Sequence, residues 1–402
     1  MRNYWIITQL FYPDETSTGY VMTKIAETLK DVGIVNVFCG TTDYQSKSLS
    51  SSSKLSSHIN IFRVKTPNVD KNRLLHRIYL FLYFTVAVFF KILFKVRKRD
   101  SVILVTNPPT LLLVVRFLKF FKKFELVIIL QDIFPENAVA SGIMKINSLS
   151  YKIILKSINY GYDGADKLIA CGNDMASLFI NKGIDASKIK VIPNWADHEL
   201  VTPDYMVDRN KYFDMELSGK IVIEFAGNIG RVQGLDHFVR IFKKSTNTKL
   251  VLIILGDGAN KKALKDFVQE NEINNVFFFK SKPRNEQQLF LNSCNIGLVT
   301  LCEGMYGLGV PSKVYNIMSA GRPILYIGDT GSEVDSYISN NNVGWSFNWK
   351  DEDKILKLLD NLPNEADIFQ IGLNARKFVL NNFTQELVLK KYKDFFTINQ
   401  LT

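Results

Sequence analysis

Residues 221–234 read Ile221-Val222-Ile223-Glu224-Phe225-Ala226-Gly227-Asn228-Ile229-Gly230-Arg231-Val232-Gln233-Gly234. The run Ile221–Phe225 is short, β-branched and aromatic, the signature of a buried strand. It ends in a turn holding three glycines, one Asn, one Arg and one Gln. An amphipathic stretch, Leu235–Lys244, follows. A buried strand, a glycine turn and a helix make the repeating unit of a doubly wound parallel sheet. Glycines let a ligand approach the backbone closely, and an Arg there is a two-pronged partner for phosphate oxygens.

The same alternation extends in both directions. Downstream, Leu250–Leu255, Val276–Phe279, Ile296–Val299 and Pro323–Tyr326 read as strands. Asn260–Glu270, Glu286–Asn292 and Ser312–Ala320 read as the helices between them. Upstream, strands are expected at Tyr4–Leu10, Val35–Cys39, Ile59–Val64, Val102–Val105, Leu126–Leu130, Lys167–Ala170 and Lys190–Ile192. Helical stretches lie at Thr18–Val32, Glu136–Tyr160 and Asp174–Lys182. The expected fold class is α/β: two Rossmann-like doubly wound domains facing a central cleft. Residues 1–195 form the first domain, 196–218 a linker, and 219–380 the second domain. Residues 381–402 form a last helix that packs back on the first domain. A length of 402 residues suits two such domains. Ser46–Ser57 reads as a polar surface loop with no chemistry of its own. Ligands of doubly wound sheets bind at the carboxyl ends of the strands, so the turns there are the places to look.

Four of these turns carry candidate chemistry. The stretch Gly304-Met305-Tyr306-Gly307-Leu308-Gly309-Val310-Pro311-Ser312-Lys313 leads from a glycine loop into a helix start. Lys313 falls in the first helical turn, where a cation opposes the dipole unless an anion sits beside it. Asn316 lies one turn on, on nearly the same face. The stretch reads as a diphosphate site with a polar ribose contact. Gly227, Asn228, Arg231 and Gln233 in the first turn, and Gly309, Ser312, Lys313 and Asn316 in the second, are the diphosphate-binding candidates. In the first half, Gln131-Asp132-Ile133-Phe134-Pro135-Glu136 closes a buried strand. A carboxylate there can orient or deprotonate a hydroxyl. Glu136 reads more simply as a favourable first-turn acid. The turn Tyr12-Pro13-Asp14-Glu15-Thr16-Ser17-Thr18-Gly19 can offer backbone N–H groups to a phosphate, and its Thr and Ser are equally ordinary caps. Asp351-Glu352-Asp353 reads as helix-start acids, and no metal is assigned to it. Four scattered histidines leave little material for a zinc site, and four scattered cysteines read as core residues in a reducing compartment. No cofactor is expected.

The formal charge of +11 is concentrated. Residues 71–123 hold twelve Lys/Arg and one acid, Asp100, so this segment alone accounts for it. It includes Leu74–Val96, with a thirteen-residue uncharged middle at Ile78–Phe90, and Leu111–Lys123. Thirteen residues fall short of the ~20 of a bilayer span. Bulky aromatic and aliphatic residues bracketed by Lys/Arg suit the headgroup layer of an anionic membrane. The competing reading is two core helices with snorkelling ends. Basic residues interleaved with long aliphatics are a poor fit to nucleic acid. No signal peptide is evident before the first strand. The expectation is a protein at the cytoplasmic face of a membrane, which the resemblance given below makes the bacterial inner membrane, held peripherally through residues 71–123, beside the mouth of the cleft.

Taken in order, the turns resemble the GT-B-fold retaining glycosyltransferases of family 4. They are most similar to bacterial O-antigen and capsule sugar transferases that include the L-fucosamine transferases. The residues concerned are Tyr12-Pro13 with Thr18-Gly19, Gln131 to Glu136, Val191-Ile192-Pro193-Asn194, Gly227 to Gly234, and Val310 to Pro323. The resemblance implies a nucleotide-diphosphate sugar, UDP-linked by expectation, held by the second domain. It also implies an acceptor, here a polyprenyl-diphosphate-linked saccharide, held by the first, with no metal required. By the same resemblance Arg231 and Lys313 stabilise the departing diphosphate, Gly19 lies on an amino-terminal phosphate loop, and Asp132, Gln131 and Glu136 belong to the acceptor side. Catalytic roles fall to Asp132, Arg231 and Lys313. Two glutamates common in such enzymes correspond to Leu308 and Asn316, so neither acid is present. Two other readings stay open: a GT-B sugar-nucleotide epimerase, and a non-catalytic membrane-associated sugar-nucleotide binder.

Overall fold

The computed structural model of the chain describes residues 2–41, 55–65, 67, 69 and 74–398. Lys71, Arg73 and positions 46–54 of the serine-rich run fall outside the described residues. The chain divides into two compact units. The first takes Met1–Val139, Met144–Pro193 and Val388–Thr402, and the second takes Ala140–Ile143 and Asn194–Leu387.

The first unit runs β1 (Asn3–Ile7), α1 (Ser17–Leu29), β2 (Ile34–Gly40), β3 (Ile59–Val64), α2 (Leu74–Lys95), β4 (Ser101–Val105) and α3 (Thr110–Lys122). It continues with β5 (Glu125–Leu130), α4 (Glu136–Ala140), α5 (Leu149–Asp163), β6 (Lys167–Ala170), α6 (Asn173–Asn181) and β7 (Ile189–Val191). Its seven strands are parallel, in the order β3-β2-β1-β4-β5-β6-β7. The strands are near-continuous apolar runs because helices cover both faces; all five residues of β4 are buried. The strand order reverses between β1 and β4, the place where such sheets open a crevice at their carboxyl ends. The stretch expected as one helix at Glu136–Tyr160 is two, α4 and α5. Gly142 adopts φ +72 between them, a conformation that a helix cannot continue through.

Helix α2 has two different apolar faces. Leu80, Phe84, Val88 and Ile92, spaced four apart, are fully or nearly fully buried against the unit. Leu75, Ile78, Tyr79, Leu82, Tyr83, Val86, Phe90 and Phe94 are exposed. By length and composition alone Leu75–Lys95 is able to cross a bilayer. Its buried stripe, however, is part of the first unit's core. The basic residues are also placed differently from expectation. Lys95, Arg97, Lys98 and Arg99 lead into β4, and Lys119, Lys122 and Lys123 lead into β5. They therefore sit at the amino ends of the strands, the edge opposite the Gln131–Asp132 turn. They are not beside the mouth of a carboxyl-edge cleft, because α2 and α3 both run antiparallel to the strands they follow.

The second unit holds α7 (Arg209–Phe213), β8 (Ile221–Ala226), α8 (Leu235–Phe242), β9 (Leu250–Leu255), α9 (Lys261–Glu270), β10 (Val276–Phe279) and α10 (Gln287–Asn292). Then come β11 (Ile296–Thr300), α11 (Lys313–Ser319), β12 (Ile324–Ile327), α12 (Glu333–Asn341), β13 (Gly344–Phe347), α13 (Glu352–Asp360) and α14 (Glu365–Asn382). Six parallel strands follow the order β10-β9-β8-β11-β12-β13, with the reversal between β8 and β11. Residues 196–218, expected as a linker, are packed into this unit. Val201, Phe213 and Leu217 are buried, and Arg209 donates to Asn295 Oδ1 at 2.9 Å and to the carbonyls of Leu217 and Lys220. Aromatic and aliphatic residues spread thinly among charges still fill a groove in the unit's surface. The last helix, α15 (Gln385–Ile398), belongs to the first unit from Val388 onward. Its Phe396 ring packs edge-on against Tyr4 of β1, 5.5 Å between centroids.

Candidate functional site

In the second unit the two glycine turns lie at the β8/β11 reversal and are tied together. Cys302 N donates to Val232 O at 2.9 Å, joining the loop 301–312 to the turn 227–234. The β9 turn underlies the first of them: Gly227 N donates to Leu255 O at 2.9 Å and Ile229 N to Asp257 O at 2.8 Å. This stacking needs glycine. A Cβ on Gly256, whose φ is +156, would lie 1.9 Å from Gly227 O. The loop 301–312 is held by Asp329, whose carboxylate accepts from Gly304 N at 3.1 Å and Tyr306 N at 2.7 Å. Trp349 backs both turns. Its ring lies against Gly234, its Nε1 donates to Leu301 O at 2.6 Å, and it stacks on His237 with centroids 4.5 Å apart.

A cavity of about 160 Å³ opens here, lined among others by Glu224, Gly227, Gly256, Gln287, Lys313 and Asn316. The Lys313 side chain reaches back from the first residue of α11 to cover the Phe225 ring, 3.3 Å from its centroid, with Nζ beside Gly227. That Nζ is out of solvent and has no hydrogen-bond partner among the described residues. Burial lowers its pKa to about 7. Arg231 is exposed at the adjoining turn and makes no side-chain hydrogen bond or ion pair among the described residues. Asn228 is exposed as well, Gln233 keeps a buried Oε1 without a partner, and Gly309 and Ser312 are half-buried on the second loop. Helix α11 is only seven residues long, so the positive charge at this place comes chiefly from the two side chains.

The structure gives two of these residues other roles. Asn316 is not free for a ribose. Its Oδ1 accepts from Asp197 N at 2.9 Å, and its Nδ2 donates to Gln287 Oε1 at 2.9 Å and to Asp197 Oδ2 at 3.3 Å. Asp197 is itself paired with Arg284. Asn316 thus positions the cavity wall. Gly19 is explained by packing: a Cβ there would meet Asp14 O at 2.6 Å. Its N–H already donates to Thr16 Oγ1, and Asp14 Oδ1 takes Thr16 N, so a carboxylate occupies the turn where a phosphate was expected. Leu308, at one of the two missing-glutamate positions, is buried within its loop.

In the first unit Thr106 Oγ1 accepts from Gln131 N at 3.2 Å and from Asp132 N at 3.3 Å, which fixes the carboxyl ends of β4 and β5 side by side. Asp132 is exposed by surface area. Protein atoms around its carboxyl nonetheless raise its pKa above the ordinary carboxylate value through desolvation. Glu136 pairs with Lys182, which also reaches Asn159 Oδ1 at 3.3 Å, so it acts within the fold rather than on a ligand. Among the described residues His198, Glu199 and Glu386 form one cluster of metal-ligating types. Its two acids are exposed, and its contact, His198 Nε2 to Glu386 Oε2 at 3.6 Å, is that of a surface ion pair.

Sequence reasoning missed Gly256, Glu224 and Trp349. Gly256-Asp257-Gly258 after a six-residue apolar run was a visible signal. Glu224, a lone acid within an apolar strand, was another: it is 2% exposed, both its oxygens lack partners, and burial raises its pKa well above the usual range.

A family model described as Glycosyl transferases group 1 matches residues 208–371. The chain is 31% identical over 395 residues to a protein of Pseudomonas aeruginosa named "Probable glycosyltransferase WbjE", covering 98% of this chain and 97% of that relative. Among solved structures it is similar to Anabaena Alr3699/HepE in complex with UDP and glucose, with a TM-score of 0.73 at 13% identity over 99% of this chain and 100% of that one. It is also similar to WaaG, a glycosyltransferase involved in lipopolysaccharide biosynthesis, with a TM-score of 0.69 at 14% identity over 98% and 99%. At such identities these two likenesses establish the two-domain GT-B fold and leave ligands open.

Proposed function

This chain belongs to the glycosyl transferases of group 1, and from that premise we propose that it is a retaining, family 4 enzyme of bacterial surface-polysaccharide synthesis. The donor is a UDP-sugar, and the acceptor is a saccharide carried on a polyprenyl diphosphate. The observation that carries this reading is a glycine turn at the β8/β11 reversal with two cationic side chains, Lys313 and Arg231, that have no hydrogen-bond or ion-pair partner among the described residues. In transfer the bond from the anomeric carbon to the diphosphate oxygen breaks, and a bond to the acceptor oxygen forms. The acceptor proton passes to a donor phosphate oxygen. Lys313 and Arg231 hold the charge that develops on the leaving diphosphate. Asp132 orients the acceptor hydroxyl. UDP in the complex of the Anabaena protein and the lipopolysaccharide role named for WaaG support the choice of nucleotide and pathway class.

The test is Arg231→Ala. Arg231 is exposed and makes no side-chain contact that the fold depends on, so Tm should be unchanged. Turnover should fall by about a hundredfold, the scale on which one charge-stabilising group acts. Unchanged kcat in a folded variant would remove Arg231 from the mechanism.

Donor binding should depend on pH through Lys313. With a pKa of about 7 in the free protein, its ammonium is lost as pH rises above neutrality. A bound diphosphate holds the proton, so binding takes one up, and Kd should rise by up to about tenfold per pH unit above 7. A sugar nucleotide is the right probe because its diphosphate does not titrate there. For the unliganded fold the sign is opposite. The unfolded chain binds the proton that the folded state sheds, so stability increases with pH between the lowered pKa and that of an ordinary lysine. Titration calorimetry from pH 6.5 to 9 tests the first statement, and a flat profile would show that no ammonium contacts the diphosphate.

Attachment to an anionic membrane surface is part of the reading. The exposed face of α2 supplies apolar area, and its buried face ties it to the core. That arrangement suits a helix lying in the interface rather than one crossing the bilayer.

A further inference from the structure

A groove of about 1770 Å³ lies in the first unit, at the amino ends of β4, β5 and β6. No step of the chemistry above uses it. Three acids line it, and all three are taken. Asp100 accepts from Trp5 Nε1 at 2.8 Å and Arg97 N at 2.9 Å, Glu125 pairs with Arg2 at 2.7 Å, and Asp166 pairs with Lys119 at 2.7 Å. Arg116 is laid over the Tyr160 ring, 3.5 Å from its centroid. Lys98, Arg99 and Lys123 remain, with no ion pair among the described residues. Beside them Phe117, Phe120 and Phe121 are 56%, 78% and 63% exposed. A positive rim with no free acid and an unpartnered aromatic cluster are thus brought together at the end of α3.

We propose that this groove is a docking site for an anionic phospholipid bilayer, in which Phe117, Phe120 and Phe121 enter the acyl boundary while Lys98, Arg99 and Lys123 pair with lipid phosphates. The proposal rests on the membrane reading above and adds a place and an orientation to it. Charge complementarity selects the occupant, since three unpaired cations around an apolar centre match an anionic headgroup layer over hydrocarbon. The apolar area also continues. Lys122 Nζ donates to Leu93 O at 2.7 Å, which brings the end of α3 beside the end of α2, where Phe90 and Phe94 are exposed. The rings are poorly set for stacking nucleic-acid bases: Phe117 and Phe120 each meet Phe121 edge-on, with interplanar angles of 67° and 89°, so they form no parallel platform.

The experiment is co-sedimentation of the full chain with vesicles of phosphatidylcholine alone and with 30% phosphatidylglycerol. Wild type should bind the anionic vesicles. Phe120→Ser and the triple variant Lys98→Glu, Arg99→Glu, Lys123→Glu should each bind at least tenfold more weakly, with donor affinity unchanged. In Phe120→Trp, which guards against misfolding of the others, tryptophan emission should shift to the blue on adding anionic vesicles. Failure of wild type to bind any anionic vesicle overturns both this proposal and the membrane reading. Wild-type binding that the variants retain, or binding indifferent to lipid charge, overturns the site and leaves attachment to the face of α2. An emission that does not move in Phe120→Trp once the wild-type spectrum has been subtracted overturns it too.

Discussion

Lys313→Met is expected to cost a hundred- to thousandfold in kcat/KM while leaving Tm at or above the wild-type value. The two effects have one cause. The ammonium has been taken out of water and given no hydrogen-bond partner, only the face of Phe225. In the free protein that is a liability, because a desolvated charge without a partner favours its neutral form. Methionine keeps the length of the side chain and removes the polar head. In the mechanism proposed above the same ammonium faces the negative charge growing on a bound diphosphate, so its loss should be felt in the transition state. Steady-state kinetics with a nucleotide-sugar donor and differential scanning fluorimetry check the pair. Loss of activity accompanied by a fall of several degrees in Tm would mean that Lys313 is structural.

Gly256→Ala should be among the most damaging single-methyl changes in the second unit. Its Cβ would stand 1.9 Å from Gly227 O, and φ +156 strains any side chain. Neither turn can retreat, since Gly227 N and Ile229 N are bonded to the β9 segment. The expected loss is about 3 kcal/mol or more, the range reserved for backbone strain and overpacking. At 2–4 °C per kcal/mol for a unit of this size, Tm should drop by about 6–12 °C. Gly304→Ala is the control. It also has a positive φ, +85, but nothing lies within 4 Å of its Cβ, and it should cost about 1 kcal/mol. Equal losses in the two variants would show that conformation, and not the contact with Gly227, sets the cost.

Much of this architecture was legible because its signals are local. Ile221–Phe225, Leu250–Leu255 and Leu126–Leu130 are apolar runs bounded by turn residues, and each is a strand. The basic turns at 227–234 and 304–313 stood out for the same reason: their glycines and charges are contiguous. What stayed hidden depends on distance along the chain. Asn316 looked available until Asp197, 119 residues earlier, was seen to hold it. The segment 196–218 looked like a linker because the partners of Arg209 and Thr202 lie near residue 290. The direction of the basic surface was misread because composition says how many cations a helix has and not which end of a sheet they reach. The groove at the end of α3 is assembled from residues 2–3, 98–100, 116–125 and 160–166, and no window of sequence contains it.

Trp349 offers an optical handle on the chemistry. Its indole is wedged behind the turn that carries Arg231, hydrogen-bonded to the strand end that launches the loop toward Lys313, and stacked on an imidazole. A movement of Gly234, of the strand end at Leu301 or of His237 would change the surroundings of that indole. The chain has only four tryptophans, so subtracting the spectrum of a Trp349→Phe protein isolates this one. The two glycine turns thus carry a built-in chromophore, and a ligand's arrival there becomes something to follow in real time, without label and without turnover.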